Sequence, residues 1–382
     1  MKPIYLDNNA TTRPHERVIA AVSRMLSEEW ANPSSGHRFG AQAAALVEDA
    51  RANVAALIGA RDSEIVFTSG GTEADNAALR GVLAAQPGKR HLIVSAVEHH
   101  AVLETAERLE HEGTRVTRIG VDHDGRINLA ALADAIRDDT ALISVMLANN
   151  ETGVIHPLQE ICALAQPRGV PVHTDAVNAL GKIPVNIEAL GVSLLSLSGH
   201  KIYGPKGVGA LYIRRGTAFQ ACQTGGSQER QRRGGTLNAP GIVGLGVACQ
   251  ILREEAADFC PRIAALRQRL EAEIRRRFPR AKIIGAGAER LPNTTLVCFA
   301  GLSSEPLLIL LSEAGVCASG GAACASGSLE PSHVLKAMGI APEVAQGEVR
   351  FSLGRFNTDV DIDRLLAVLP AAVDKVAAGS TS

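Results

Sequence analysis

The stretch "SLSGHKIYGPKGVGALY" at positions 196–212 places a lysine, Lys201, inside an apolar run that is interrupted by glycines. Burying a charged amine costs free energy unless the amine has a partner or loses its charge. A lysine that forms an imine with an aldehyde cofactor has no free ammonium to bury. The alternative is that Lys201 extends to solvent, as nearby Lys206 would.

On the N-terminal side of this stretch, apolar runs rich in β-branched residues alternate with Ala-rich amphipathic segments. Near-continuous apolar strands separated by helices indicate a mostly parallel sheet covered by helices on both faces, an α/β fold. The runs are "EIVFTS" from position 64, "HLIVSAV" from 91, "TALISVMLANN" from 140, "VPVHTDA" from 170 and "LLSLSG" from 194.

Each of four predicted strands ends in small or polar residues. In an open α/β sheet, ligands bind outside the carboxyl ends of the strands, so we expect these residues to converge on one site. They are Ser69 to Thr72, Asn149 and Asn150, Thr174 and Asp175, and Ser198 to His200.

The sequence changes character after position 258. The segment "RIAALRQRLEAEIRRRF" has helical spacing, two further strand signals follow, and a last amphipathic helix is predicted from Asp361. A chain of 382 residues exceeds the usual single-domain size. We therefore predict a large domain over 14–257, and a smaller α+β domain formed by 1–13 and 258–382.

Composition excludes several classes of function. The 39 Lys and Arg nearly balance the 40 Asp and Glu, which argues against nucleic acid or a membrane surface as the main partner. The start resembles no signal peptide and no apolar run could span a membrane, so a cytoplasmic protein is expected. The seven cysteines form no CxxC pair, and no metal site is predicted.

Two motifs supply groups for a phosphorylated cofactor. In "SGGTEADN", Gly71 and Thr72 begin a predicted helix, whose free amides favour an anion; the alternative is an ordinary glycine turn with a Thr cap. Asp175 either caps a helix or pairs with the cationic ring nitrogen of pyridoxal 5'-phosphate (PLP). If Asp175 pairs with the ring nitrogen of PLP, Lys201 forms the imine, and Ser198 and His200 contribute to the phosphate site.

Two further side chains suit such a site. His99 follows a strand and can stack on a planar ring or move protons, although it can equally be a surface residue at a helix start. Cys324 lies among Gly, Ala and Ser, a composition that predicts an exposed, mobile loop able to deliver a thiol. The alternative for Cys324 is an incidental loop residue.

Taken together, the motifs resemble the group I cysteine desulfurases, the NifS/IscS-like branch of the fold type I PLP enzymes within the class V aminotransferase family. The resemblance covers nearly the whole chain. It rests on "YLDNNATT", "NPSSGH", "FTSGGTEADN", "VEHHAVLE", "NNETGV", "HTDAV", "LSGHKIYGPKGVGALY", "GGSQERQRRGGT", "SGGAACASGSLEPSHVL" and "RFSLGR".

The resemblance implies a role for each site residue. Lys201 would carry PLP, Asp175 would hold its ring nitrogen protonated, and His99 would stack on the ring. Cys324, in a loop at about 318–332 of the small domain, would attack the sulfur of L-cysteine, giving L-alanine and a persulfide. The phosphate would be bound by Gly71, Thr72, Ser198 and His200, with Thr236 from the other subunit of a homodimer. Asn150 would lie near the cofactor hydroxyl and the substrate carboxylate, and Arg350 would bind that carboxylate.

The resemblance leaves some points open. Arg355 competes with Arg350 as the carboxylate clamp, although the motif favours Arg350. Asn178 stands where the family commonly has glutamine at the cofactor hydroxyl. The sulfur acceptor would be an iron-sulfur scaffold or another protein. The sulfur would serve either nitrogen fixation or general iron-sulfur cluster assembly. Competing functions are a selenocysteine lyase, an aminotransferase and a non-catalytic assembly partner.

Overall fold

The computed structural model describes residues 3–321 and 332–379. Its strands, in chain order, are β1 (Ile4–Tyr5), β2 (Ile65–Thr68), β3 (His91–Ser95), β4 (Arg115–Ile119), β5 (Thr140–Ser144), β6 (Val172–Asp175), β7 (Leu194–Ser198), β8 (Gly209–Ile213), β9 (Ala281–Ile283), β10 (Thr294–Phe299), β11 (Val316–Cys317) and β12 (Glu348–Ser352).

Seven of these strands form the central sheet, in the order β2-β8-β7-β6-β5-β3-β4. Strand β8 runs antiparallel to both of its neighbours, and the other neighbouring strands are parallel. Every residue of β3, β5 and β7 is buried, as expected for strands with helices on both faces. The predicted mostly parallel sheet is confirmed, and the five predicted runs contain β2, β3, β5, β6 and β7.

Helices cover both faces of this sheet and fill the remainder of the fold. They are α1 (Glu16–Ser27), α2 (Arg38–Ile58), α3 (Gly71–Ala84), α4 (His100–His111), α5 (Leu129–Ala135), α6 (Leu158–Ala165), α7 (Ile187–Leu190), α8 (Ala239–Arg277), α9 (Ser304–Glu313), α10 (His333–Ala337), α11 (Pro342–Ala345) and α12 (Asp359–Gly379).

Two smaller sheets lie in the region assigned to the smaller domain. Strands β12, β10 and β9 form an antiparallel sheet, and β1 pairs in parallel with β11. The predicted domain boundary at 257–258 falls inside α8, which is one continuous helix of 39 residues. The last helix begins at Asp359, two residues before the predicted start. The two-domain division stays a prediction.

The topology places the candidate residues at one edge of the central sheet. Parallel strands β5, β6 and β7 are adjacent, so the segments that follow them leave the sheet on the same side. Helix α3, which follows β2, begins at this same edge and packs against β7. Within the described ranges, no helix is both long and apolar enough to cross a membrane.

Candidate active site

A cavity of about 340 Å³ opens at this edge of the sheet. It brings together ten of the predicted site residues, which come from widely separated segments of the chain. These ten are Gly71, Thr72, His99, Asn150, Asp175, Asn178, Ser198, His200, Lys201 and Arg350. Thr236 does not line the cavity of its own chain, and Cys324 lies outside the described residues.

Lys201 follows directly from strand β7 through a short 3₁₀ turn, Gly199–Lys201. Its amine donates to the backbone carbonyl oxygens of Asn9 and Ala10, the latter at 3.0 Å. Lys201 therefore lies in the cavity wall, whereas Lys206 in the same motif is exposed. Two carbonyl acceptors hold the amine at a defined point of the cavity.

Asp175 is the last residue of β6 and is only 6% exposed. Its Oδ1 accepts a hydrogen bond from the backbone N–H of Val177 at 2.8 Å. Burial raises its pKa to about 6, against the opposite effects of that N–H and of the Lys201 amine. A cationic ring nitrogen placed beside this carboxyl would favour its ionised form.

The N-terminus of α3 forms the anion-binding end of the cavity. The first turn of a helix has backbone amides without intrahelical partners, and those of Gly71 and Thr72 belong to this turn. A Cβ at Gly71 would come within 2.7 Å of Cγ2 of Val177, so only glycine allows this packing without a shift. Ser198 and His200 complete this part of the lining.

His99 caps helix α4, and this contact fixes its tautomer. Its Nδ1 accepts a hydrogen bond from the backbone N–H of Ala101 at 3.1 Å. Burial and the charge of Lys201 lower the pKa of His99 to about 4, so the ring is neutral at pH 7. The remaining ring proton is then on Nε2, and His99 offers a hydrogen-bond donor rather than a base.

Arg350 lies on β12 and is 1% exposed. One Nη donates to the carbonyl oxygens of Asn150 at 3.2 Å and Gly321 at 3.0 Å, and the other pairs with Asp7 at 2.9 Å. In the described part of the chain, its Nε has no hydrogen-bond partner. A buried donor beside the cavity suits a substrate carboxylate.

Arg355, the competing residue, lies elsewhere. Its guanidinium pairs with Glu255 and packs over the ring of Tyr203 at 5.5 Å. It is absent from the cavity lining, whereas Arg350 is part of it. The geometry therefore favours Arg350 as the carboxylate clamp.

The chain enters and leaves the undescribed segment 322–331 beside the cavity. On one side, the carbonyl oxygen of Gly321 accepts from the cavity residue Arg350. On the other, the Ser332 hydroxyl donates to Oε2 of Glu151 at 2.5 Å, and Glu151 and His333 also line the cavity. The segment that contains Cys324 is thus joined to the chain at the cavity on both sides.

Several lining residues were not predicted as site residues. Asn9 and Ala10 lie in "YLDNNATT", Asp75 in "SGGTEADN", and His100 follows His99, so quoted motifs contained them without showing which way they face. The rings of His100 and His333 lie 4.8 Å apart at the cavity although 233 residues separate them in the sequence. Spacing alone could not identify that pair.

Thr236 is exposed at the end of an unusual loop. Glu229, Arg230 and Gln231 have positive φ angles of 47°, 56° and 63°, which non-glycine residues rarely adopt. The Glu229 carboxylate is buried and forms a bidentate pair with Arg51, both distances being 2.8 Å. The charged run "QERQRR" therefore contains a buried carboxylate, Glu229, that ties the loop to Arg51. A fully solvated loop would have no such contact.

The lining contains the chemical groups that suit PLP. Helix amides and the Thr72 hydroxyl suit the phosphate, buried Asp175 suits the ring nitrogen, and the Lys201 amine suits the aldehyde. Asp75 also lines the cavity, and its Oδ1 is buried without a hydrogen-bond partner in the described residues. No cluster of three potential metal ligands occurs in those residues.

Comparison with known proteins agrees with this geometry. The family model for aminotransferase class-V matches residues 4–365. The chain is 47% identical to "Cysteine desulfurase 2" of Trichormus variabilis (99% and 95% of the two chains covered). It is 46% identical to "Cysteine desulfurase NifS" of Azotobacter vinelandii (98% and 93%). A solved NifS-like protein superposes with a TM-score of 0.91 at 38% identity, over 98% and 99% of the two chains. The chain therefore belongs to the class-V aminotransferase family and, within it, to the NifS-like cysteine desulfurases.

Proposed function

We propose that this protein is a PLP-dependent cysteine desulfurase that converts L-cysteine to L-alanine and leaves the sulfur as a persulfide on Cys324. One observation carries the proposal: Lys201, Asp175, His99 and Arg350 meet in one cavity, and the chain on both sides of segment 322–331 contacts residues of that cavity. An aminotransferase needs the first three groups but not a cysteine-bearing segment joined at the site.

The reaction balances without an external oxidant. The carbon–sulfur bond of cysteine breaks, a sulfur–sulfur bond forms with the Cys324 thiolate, and the substrate carbon is reduced to the methyl group of alanine. Bound PLP supplies the electron sink for this step. The thiolate is the reactive form of Cys324.

The residues of the chain bind and orient the substrate, and they move its protons. Arg350 and Asn150 hold the substrate carboxylate, and Asn150 is itself fixed because its carbonyl accepts from Arg350 and from Asn9 at 3.0 Å. The Lys201 amine, held by the carbonyls of Asn9 and Ala10, removes the α proton. His99 would stack on the ring of the bound cofactor, and its Nε2–H is available to donate a hydrogen bond.

The enzyme acts as a cytoplasmic homodimer in this proposal. Thr236 is exposed and lies outside its own cavity, so it is available to the phosphate site of a second copy. The sulfur acceptor is an iron-sulfur scaffold protein or another sulfur carrier. The exposure of Thr236 supports the shared site, and the acceptor follows from the chemistry of a persulfide product.

The test is intact-mass analysis of the PLP-loaded protein after a brief L-cysteine pulse without reductant, with peptide mapping and an alanine assay. We expect one sulfur atom added at Cys324 and an equal amount of alanine. In Cys324→Ser, cysteine still changes the cofactor absorbance but no persulfide forms. Cys317→Ser is the matched control and should retain the added sulfur.

Two outcomes would contradict the proposal. A wild-type yield of persulfide in Cys324→Ser would assign the sulfur to another thiol. Alanine-free conversion of the bound cofactor to its amine form would instead indicate an aminotransferase.

A further inference from the structure

A second lysine, Lys182, lies behind the cavity without lining it. It is half-buried in the turn that follows β6, and its ammonium group is close to Asn178. The Nζ atom donates to the backbone oxygen of Asn178 at 2.8 Å and to its side-chain Oδ1 at 3.3 Å. It also donates to Oδ1 of Asn9 at 3.3 Å.

These contacts determine the orientation of the Asn178 amide. An ammonium group has only donors, so the atom of Asn178 that faces it must be the oxygen. The Nδ2 of Asn178 then points away from Lys182, and Asn178 lines the cavity. Among the described residues Nδ2 has no hydrogen-bond partner, so this donor is available to a ligand.

The backbone explains why Lys182 reaches Asn178. The amides of Leu180 and Ile183 bond to the carbonyls of Ala176 and Ala179, which coils the turn so that position 182 lies above position 178. Gly181 has a φ of +75°, and a Cβ there would lie 2.7 Å from Leu252. The turn is therefore fixed by its packing against α8.

Asn9 connects Lys182 to Lys201. The Oδ1 of Asn9 accepts from Lys182 and from Asn293 at 3.0 Å, and the backbone oxygen of Asn9 accepts from Lys201. Burial and the charges of Lys201 and Arg350 lower the pKa of Lys182 well below its usual value, with the Cys260 thiol acting in the opposite direction. Three basic side chains, Lys182, Lys201 and Arg350, thus lie on this side of the site, and an anionic ligand beside them would favour the protonated form of Lys182.

We propose that Lys182 is a positioning residue: it holds the oxygen of Asn178 so that the amide N–H of Asn178 donates to an anionic oxygen of the bound cofactor, and it adds positive charge behind that contact. This inference rests on the proposed function only for the identity of the cofactor. It also explains how the short side chain of Asn178 is held in a single orientation at this position.

The test compares PLP-loaded variants by PLP affinity and by the pH midpoint of the visible absorbance change. In Lys182→Met, both the orienting contact and the charge are lost. We expect PLP binding to weaken about tenfold, the scale of one hydrogen bond to a charged group. We expect the midpoint to rise by about one unit, because removing a neighbouring cation favours protonation of the cofactor imine.

Two further variants separate the effect of orienting Asn178 from the effect of the charge on Lys182. Lys182→Gln keeps a donor for Asn178 but no charge, so it should recover most of the PLP affinity while the midpoint stays raised. In an Asn178→Ala background, Lys182→Met should cause little additional loss of affinity. Lys282→Met, which removes an exposed lysine on β9, is the control for a general loss of charge and should match the wild type.

Each result is decisive. Lys182→Met with wild-type affinity and midpoint overturns the inference, and Lys182→Gln with the full loss of affinity overturns the positioning role. Wild-type protein that binds PLP but forms no alanine from cysteine overturns the proposed function alone, since the absorbance comparison does not depend on turnover.

Discussion

At the scale of single residues, the site depends on groups whose protonation is set by burial. Asp175 is the clearest example, since its carboxyl lies at the end of a buried strand and accepts a hydrogen bond from the backbone N–H of Val177. Burial raises its pKa to about 6, so in the protein without cofactor the neutral acid predominates only below about pH 6. A cationic ring nitrogen beside this carboxyl would lower its pKa again and extend the ionised form to lower pH.

The first prediction concerns Asp175→Asn in the protein without PLP. A carboxyl whose folded-state pKa is raised stabilises the fold below its unfolded pKa, and this contribution is lost as pH rises through about 6. The amide does not ionise, so the thermal midpoint of the variant should rise relative to wild type between pH 4 and pH 8. In the same variant, PLP affinity should fall about 10- to 100-fold because a charge-assisted bond is lost.

Differential scanning fluorimetry across pH and PLP titration would measure the two effects. Asp138→Asn is the matched control, because Asp138 is 98% exposed and pairs only at the surface with Arg168. Its thermal midpoint should follow that of the wild type at each pH. A thermal midpoint of Asp175→Asn that falls relative to that of the wild type as pH rises would refute the assignment.

At the scale of elements, the loop that presents Thr236 is held by one buried ion pair. Glu229 accepts two hydrogen bonds from Arg51 of α2 and a third from the backbone N–H of Phe67 on β2 at 2.9 Å. The Arg51 guanidinium also lies over the Phe67 ring at 4.6 Å. The loop is therefore fastened to both a helix and the edge strand of the central sheet.

Glu229→Gln should destabilise the protein strongly, because it leaves the buried Arg51 cation without its counter-charge. Breaking a buried pair in this way costs about 3–5 kcal/mol, measured as a shift in the denaturant midpoint. Glu48→Gln is the matched control. Glu48 pairs with the same arginine at 3.1 Å but is 59% exposed, so its loss should cost less than about 1 kcal/mol. Equal effects of the two variants would contradict the anchoring role.

At the scale of the whole molecule, the proposed homodimer shares its active sites. Thr236→Asp would place a negative charge against the cofactor phosphate of the partner subunit, and Lys201→Ala removes the cofactor-binding amine. We expect each variant to be inactive as a homodimer. A hybrid of the two contains one complete site, with Lys201 from one subunit and Thr236 from the other.

Co-expression of the two variants with different tags, followed by purification and a desulfurase assay, tests this arrangement. Random pairing should restore about a quarter of the wild-type activity per chain, since half the dimers are hybrid and each has one intact site. If Thr236 served the site of its own subunit, neither site of the hybrid would be complete and the mixture would stay inactive.

The sequence predicted the fold class and most of the site from local patterns. Apolar runs with polar ends are local features, and a parallel sheet brings the ends of adjacent strands to one edge. Lys201, Asp175 and Ser198 could therefore be placed together from the sequence alone. The same pattern of strand ends included Asn150, whereas Arg350 came only from the resemblance, since no spacing rule connects it to Lys201. Both lie in the cavity lining.

By itself, the sequence determined which chemical groups are present and which edge of the sheet holds them. Only the tertiary structure decided how they are oriented: that Lys182 faces the oxygen of Asn178, that Arg350 rather than Arg355 reaches the cavity, and that Glu229 is buried against Arg51. The physical reason is that these are contacts between side chains of separate turns, strands and helices. Their distances depend on packing, which the local pattern of residues does not specify.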